Sequence, residues 1–379
     1  MKVLLITTSY PDNTGSQRGI FIRELCLELI KNGLDIIVLT PRVLSTSPFH
    51  EDDCGISIRR FWYPSRNTQL NQMDSIPILS MAVYMISGII TGLHLVWKHK
   101  PDVIHGNWIV PTGLIASLIG RISRIPIINT ARGMDLRVRA NRAVKALFDW
   151  TVKHSDKLTV VSPAMNSIEG LKKAEVISSG VDQIFFDIIP NSASKIVLYS
   201  RSLEPIYDVE TLLKSIPMVV EQVPDVRFII AGSGSQESLL KSLANNLGIS
   251  ERVSFIGHVP HETIAALSAE ATVFVSTATA DGTSIALLES IAVGLIPVVT
   301  NIDVNRALIM HGRDGYLFKP GDEKDLAENL IQALSQKISL DDLQQKRDSL
   351  KDKIRWSTVA NRFIRSYNQI LEESRRHSV

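Results

Sequence analysis

The sequence predicts an α/β protein made of two doubly wound domains in series. Three observations carry that expectation. Short, almost wholly apolar and β-branched segments alternate with helical patterns, the mark of parallel strands covered on both faces. The rhythm breaks near residue 180 and then restarts. The 379 residues are enough for two domains at roughly 100–200 residues each.

In chain order, KVLLITT (2–8) reads as a buried strand and FIRELCLELIKNG (21–33) as an amphipathic helix stopped by Gly33. DIIVLTP, DVIHGNW (102–108), IPIINTARG (125–133) and KLTVVS (157–162) follow as further strands. The stretch SSGVDQIFFDIIPNSASK lacks periodicity and carries Gly180 and Pro190, so it reads as the interdomain linker. Five more buried strands come after it: KIVLYS (195–200), VRFIIAGSG (226–234), RVSFIGHV (252–259), ATVFVSTA (271–278) and IPVVT (296–300). The tail from Ser357 to Glu373 is helical, with Val359, Phe363, Ile364, Tyr367, Ile370 and Leu371 on its apolar side. The expected boundaries are 1–185 for the first domain, 186–355 for the second and 356–379 for a closing helix. Ligands bind open parallel sheets outside the carboxyl ends of their strands. Two such sheets facing one cleft suit a reaction between two substrates, one per domain.

The composition is that of an ordinary globular protein, 45% hydrophobic and 21% charged, with a net charge of +2 that gives no strong pull on nucleic acid. The charge is uneven. From Arg121 to Lys157 there are nine Lys and Arg against three acids, a local excess of +6, which suits either an anionic membrane surface or acidic acceptor, or a solvated helix face. Cys26 and Cys54 make neither a disulfide framework nor a zinc site, and a reducing, cytoplasmic setting fits. The N-terminal MKVLLITTSYP is not a signal peptide, because its apolar run is short and no small-residue cleavage site follows. Ile76 to Trp97 is 22 residues without a formal charge. It contains Pro77, Gly88, Gly92 and several polar residues, which favour a buried helix over a membrane span. A helix dipping its outer face into a membrane surface stays open.

The strongest chemical constellation is Asp281-Gly282-Thr283-Ser284-Ile285-Ala286-Leu287-Leu288-Glu289. A strand ends at Ala278, a loop follows, and a helix begins near Thr283 or Ser284. The free N–H groups of that helix start, from Gly282 through Ile285, are suited to a phosphate. Glu289 lies about two turns in, roughly 8–9 Å along the axis, within reach of a ribose whose two hydroxyls a carboxylate can accept. Asp281 stands on the other side of the phosphate, where the sugar hydroxyls would be and where it would orient the sugar. A carboxylate flanked by Leu287, Leu288, Ile291 and Ala292 needs a partner. The bland alternative is a capped helix with a stray buried acid.

The stretch DGTSIALLESIAVGLIPVVTN resembles the signature of the GT-B glycosyltransferases of family 4, in which two acids stand eight apart before a Gly-Pro-Val-Val-like run. That family usually has Glu where this chain has Asp281. The resemblance covers nearly the whole chain and implies the GT-B fold: two Rossmann-like domains facing a central cleft, with a C-terminal helix, starting near Arg355-Trp356-Ser357, that crosses back onto the first. It implies that Arg201 binds the donor diphosphate and stabilises the leaving group. A family lysine a few residues on is replaced by Tyr207. Gly232, in Ala231-Gly232-Ser233-Gly234, resembles the small-residue turn beside the donor, and His258 lies in the loop whose backbone meets the nucleobase. In the first half, Gly15 and Gly19 resemble the glycine loop that approaches the transferring sugar or acceptor. HGNWIVPTG (105–113) resembles the family's histidine-tryptophan-proline-glycine segment, where His105 is either an acceptor contact or a core histidine. At the next strand end, Arg132 stands where many relatives have His. A guanidinium is no general base, so its expected role is to bind an anionic acceptor or the donor phosphate. Asp135 is the better acid on that edge, or else a helix cap.

The resemblance therefore implies a retaining, metal-independent transfer of a hexose-type sugar from a UDP or GDP type donor to a glycan or lipid-linked acceptor, by front-face substitution and without a cofactor. Arg201, Asp281 and Asp135 are the expected catalytic set. The sequence holds no DxD or His/Asp cluster suited to Mg²⁺ or Mn²⁺. The expected setting is cytoplasmic, peripheral to the inner face of a membrane. Two other readings share the architecture: a nucleotide-sugar 2-epimerase, and a non-catalytic nucleotide-sugar-binding partner subunit. An NAD enzyme is disfavoured, because no GxGxxG follows the first strand and no acid closes the second.

Overall fold

The computed structural model describes residues 1–13, 16, 18–65, 67–68, 78–133, 141–191 and 194–376. The chain divides into two compact units, 1–180 with 356–379, and 181–355.

The first unit is an eight-stranded sheet: β1 (Lys2–Ile6), β2 (Asp35–Pro41), β3 (His50–Asp53), β4 (Ile56–Phe61), β5 (Val103–Asn107), β6 (Ile127–Ala131), β7 (Lys157–Val160) and β8 (Glu175–Val176). The order is β3-β4-β2-β1-β5-β6-β7-β8. Every pairing is parallel except β3 with β4. That edge hairpin is absent from the sequence reading because HEDD alternates no apolar face. The central strands are buried on both sides; KVLLI of β1 is accordingly almost wholly apolar, whereas β5 and β6 also bury His105, Asn107, Asn129 and Thr130. One face is covered by the Ile20–Lys31 helix, through Ile22, Leu25, Cys26 and Leu29, and by the closing Trp356–Arg376 helix, through Trp356, Val359, Phe363, Tyr367 and Ile370. The tail thus belongs to the first unit's core.

The other face is covered by the Ile78–His99 and Leu114–Ser123 helices. They run side by side in one direction, because Gly88 faces Ile115 and Gly92 faces Ile119; a Cβ on Gly92 would lie 2.3 Å from the Ile119 Cδ1. The first of these helices is not the buried helix its composition suggests. Tyr84, Gly88, Gly92 and Leu95 are buried, whereas Leu79, Ile86, Ile90 and Trp97 are 58–77% exposed. It is long and apolar enough to cross a membrane, yet packs one face on the sheet.

The second unit is a six-stranded, all-parallel sheet: β9 (Ile196–Tyr199), β10 (Arg227–Ala231), β11 (Val253–Gly257), β12 (Val273–Ser276), β13 (Ile296–Thr300) and β14 (Tyr316–Phe318), in the order β11-β10-β9-β12-β13-β14. The chain steps outward from β9 through β10 to β11, then returns to place β12 on the other side of β9. Loops leaving β9 and β12 therefore diverge, and the crevice they leave at the carboxyl edge is where open α/β sheets take ligands. In the first unit the same divergence falls between β1 and β5.

The presumed linker is partly core. Its Gln183–Phe186 segment is helical, capped by Asp182, and Val181, Phe185 and Phe186 are buried in the second unit. The division falls after Gly180, five residues before the expected 185. Apolar Phe185 and Phe186 need burial, and the aperiodic polar residues around them masked that signal.

Candidate active site

Arg201 lies two residues beyond β9, and Asp281 in the loop after β12, so the switch point of the second sheet brings them together. The Arg201 Nη1 donates to Asp281 Oδ2 at 2.5 Å and to Ser276 Oγ at 3.4 Å. Both side chains of the ion pair are 15% exposed or less. Burial opposes the guanidinium charge, but the Asp281 carboxylate together with Tyr207 and Tyr199 outweighs it and holds the arginine pKa above its ordinary value. The other Asp281 oxygen accepts the Gly282 N–H at 2.8 Å. Asp281 is thus engaged with Arg201 and its own loop, and its shorter side chain suits that close pairing.

Tyr207 occupies the face of Arg201. Its ring centroid is 4.4 Å from the guanidinium carbon, a cation–π geometry. The tyrosine is held by the β12 side: Thr277 Oγ1 donates to the Tyr207 carbonyl at 2.6 Å, and the Thr279 N–H to the Ile206 carbonyl at 3.0 Å. Gly232, after β10, lets the backbones close up behind this group. A Cβ there would sit 2.0 Å from the Arg201 carbonyl oxygen, and its N–H donates to Gly257 at 2.8 Å. Gly257 has φ +71° and turns the chain into His258, which is exposed at the same edge.

The Ile285–Val293 helix starts at this edge. Ser284 is its N-cap, accepting the Leu287 N–H at 3.1 Å. The Thr283 hydroxyl donates to the Gly282 carbonyl at 2.8 Å. Among the described residues no acceptor meets the Ile285 or Ala286 amides, so the helix start presents N–H groups and a partial positive charge. Glu289 lies one turn behind Ile285 on the same face. It is 6% exposed, and its Oε1 is 2.7 Å from His261 Nε2. The sequence required a partner for Glu289, but His261 is 28 residues away and carries no local signal. Together these groups offer an arginine and open amides for a polyanion, and a buried carboxylate for hydroxyls beyond it.

In the first unit, Gly19 follows β1 with φ +70°, and a Cβ would lie 2.4 Å from the Ser9 carbonyl oxygen. The loop before it is pinned by groups the sequence reading missed. Arg18 grips buried Asp12 through Nε (2.6 Å) and Nη2 (2.8 Å), and Arg60 donates to the Pro11 carbonyl at 2.8 Å. Arg132 donates to Asn107 Oδ1 at 3.0 and 3.1 Å and to Ser179 Oγ at 3.3 Å, with Phe21 under its guanidinium at 4.6 Å. His105 is a core histidine and not an acceptor contact. It is fully buried, 2.8 Å from both Tyr367 Oη and Thr130 Oγ1, and burial, aided by Arg132, pushes its pKa down to about 3. The sequence left both roles open because periodicity does not tell which face of β5 the closing helix covers. Asp135 and Gly15 lie outside the described residues. No group of three His, Cys, Asp or Glu suited to a metal occurs among the described residues.

Doubly wound sheets with a cationic switch point beside an open helix start define a class that handles phosphorylated ligands. Comparison with known proteins narrows it. Residues 181–352 match the family model for glycosyl transferases group 1, and residues 19–168 match that of the glycosyl transferase 4-like domain. The chain belongs to the group 1 glycosyltransferases, of GT-B fold. It is 21% identical to N-acetyl-alpha-D-glucosaminyl L-malate synthase of Bacillus anthracis, covering 99% of both chains. Its fold resembles sucrose-phosphate synthase from Thermosynechococcus elongatus (TM-score 0.80, 16% identity, 98% of this chain and all of that one). It also resembles Anabaena HepE in complex with UDP and glucose (TM-score 0.75, 15% identity, 97% of this chain and all of that one).

Proposed function

We propose that this glycosyltransferase moves a hexose-type sugar from a UDP or GDP type donor, bound by the second unit, to a glycan or lipid-linked acceptor bound by the first, with retention of configuration and without a metal ion. The observation that carries the donor assignment is that Arg201, after β9, pairs with Asp281 in the loop that leads from the neighbouring β12 to the helix start with the open Ile285 and Ala286 amides. The UDP and glucose bound to HepE support the same reading. In this scheme the bond from sugar C1 to the diphosphate breaks, the acceptor oxygen bonds C1 on the same face, and the acceptor proton passes to the leaving diphosphate oxygen. Arg201 and the helix start stabilise the departing charge, Asp281 fixes Arg201, Glu289 accepts from the ribose, and Gly19 and Arg132 serve the acceptor.

Thermal-shift screening against UDP-, GDP- and ADP-sugars, followed by transfer assays, tests the donor. NMR of the product anomer tests retention, and an inverted product refutes the mechanism. Activity lost in EDTA and restored by Mg²⁺ refutes metal independence. Epimer formed from UDP-GlcNAc alone favours the epimerase, and tight nucleotide binding with neither transfer nor donor hydrolysis favours a partner subunit.

We further propose that the chain works in the cytoplasm against an anionic membrane. The support is the outer stripe of the Ile78–His99 helix, Leu79, Ile86, Ile90 and Trp97, with exposed Lys98, Lys100, Arg121, Ile122 and Arg124 at its end. Apolar stripes with basic flanks suit an interfacial helix. Flotation with anionic vesicles that survives Ile86→Asp with Ile90→Asp refutes this face.

A further inference from the structure

Glu289 is a carboxylate set among apolar residues. It is 6% exposed, between fully buried Leu288 and core residue Ile291. A carboxylate in such company must be hydrogen-bonded or lose its charge. Its helix supplies no donor, and the partner comes from His261, the first residue of the His261–Glu270 helix, with Nε2 2.7 Å from Oε1. The imidazole is itself steadied by Phe185, fully buried, at 4.9 Å between ring centroids. Among the described residues no donor meets the other oxygen, Oε2. Helical side chains lean toward the N-terminus, so Glu289 leans toward the end where the Ile285 and Ala286 amides open.

The geometry points to His261 as the positioning residue that fixes Glu289 for the vicinal diol of the donor's ribose. The Nε2–H holds Oε1 and so sets the rotation of the carboxylate. Oε2 and the second lone pair of Oε1 are left for two adjacent hydroxyls. His261 therefore governs how strongly the site distinguishes a ribonucleotide from its deoxy analogue. This inference rests on the donor-site reading above.

Titration of the full chain with UDP and 2′-deoxy-UDP by calorimetry tests it. The wild-type chain is expected to prefer UDP by about tenfold, the size expected from a hydrogen bond to a charged group. His261→Phe keeps a ring against Phe185 but removes the donor, and should bring the two affinities within about twofold of each other. His261→Gln restores a donor nitrogen and should recover most of the preference. In transfer assays His261→Phe should raise the donor KM about tenfold with little change in kcat. In a Glu289→Gln background the same substitution should add nothing. A His261→Phe variant that weakens both ligands equally, or neither, overturns the inference, because a merely structural role leaves their ratio untouched. Should His261→Phe not fold, the ratio measured in His261→Gln decides: loss of the preference there, with the fold intact, overturns the rescue. A wild-type chain that binds none of UDP, GDP and ADP overturns the donor-site reading itself, and the inference with it.

Discussion

The Arg201 guanidinium lies 4.4 Å from the centroid of the Tyr207 ring. Relatives are expected to carry a second cation at the Tyr207 place, so the tyrosine alters the site from two charges to one charge with a support. The ring face attracts the guanidinium, and Thr277 fixes the tyrosine backbone. With Asp281 at 2.5 Å on one edge, the arginine is held on two sides. Preorganised charge stabilises a leaving group without reorganisation at the moment of reaction.

Tyr207→Phe should therefore leave kcat within about twofold, since the ring does the work. Tyr207→Ala should lower it by roughly tenfold, the equivalent of about 1.4 kcal/mol, which lies within the range of a partly desolvated cation–π contact. Steady-state kinetics of the two variants with one donor check this. Equal loss in both would assign the effect to the hydroxyl instead.

Ser284 separates stability from binding. Its side chain caps the Ile285–Val293 helix through the Leu287 N–H. Ser284→Ala should cost about 1 kcal/mol of stability. Ser284→Asp keeps a capping oxygen and the favourable interaction with the helix dipole, so the fold should hold. The added negative charge, however, would face the donor diphosphate, and donor KM should rise by about tenfold or more. Urea unfolding and donor kinetics on both variants distinguish the two roles; an aspartate variant with unchanged KM would place no diphosphate at this helix start.

Much of this was legible in the sequence. DIIVLTP and IPVVT coincide with β2 and β13 because buried parallel strands leave an apolar mark over most of their length. The Asp281–Glu289 segment also reads directly, because a loop, a cap and a helix are local features. What was not legible is pairing across the chain. The ion pair of Arg201 with Asp281 spans 80 residues, and the bond of His105 to Tyr367 spans 262. Local periodicity contains neither. The Ile78–His99 helix misled in another way: an apolar composition reports affinity for a nonpolar surface but not whether protein supplies it, and here only one face is covered.

Gly232 is required by space. A Cβ would stand 2.0 Å from the Arg201 carbonyl oxygen, far inside van der Waals contact, and that neighbour is backbone rather than a side chain able to turn away. Gly232→Ala must push the β9 loop outward and carry Arg201 with it. A shift of about 1 Å at a catalytic group costs on the order of 100-fold. The expected result is a fall of that size in kcat with the far-ultraviolet circular dichroism unchanged, since the strands themselves are untouched. Gly234→Ala, which meets the Leu203 backbone at 2.4 Å, should act in the same direction. Full activity in Gly232→Ala would show that the arginine's placement does not limit the rate.

His105 should make the fold sensitive to acid. The ordinary histidine value is 6.5, and burial, with Arg132 adding to it, pushes the folded value down to about 3. Between these values the unfolded chain binds the proton and the folded chain resists it. Stability contributed by the neutral ring is thus fully present above pH 6.5 and is lost as the pH falls toward 3. The slope is about 1.4 kcal/mol per pH unit for one proton. Urea unfolding of the wild type at several pH values from 6.5 down to about 4.5 should show that slope on top of the carboxylate contributions. In His105→Gln, whose amide can still meet the Tyr367 and Thr130 hydroxyls, the slope should fall by one proton while stability near neutrality changes by about 1–2 kcal/mol. Parallel slopes in the two proteins would mean that the ring takes up its proton without unfolding, and that the contact between β5 and the closing helix yields to acid locally.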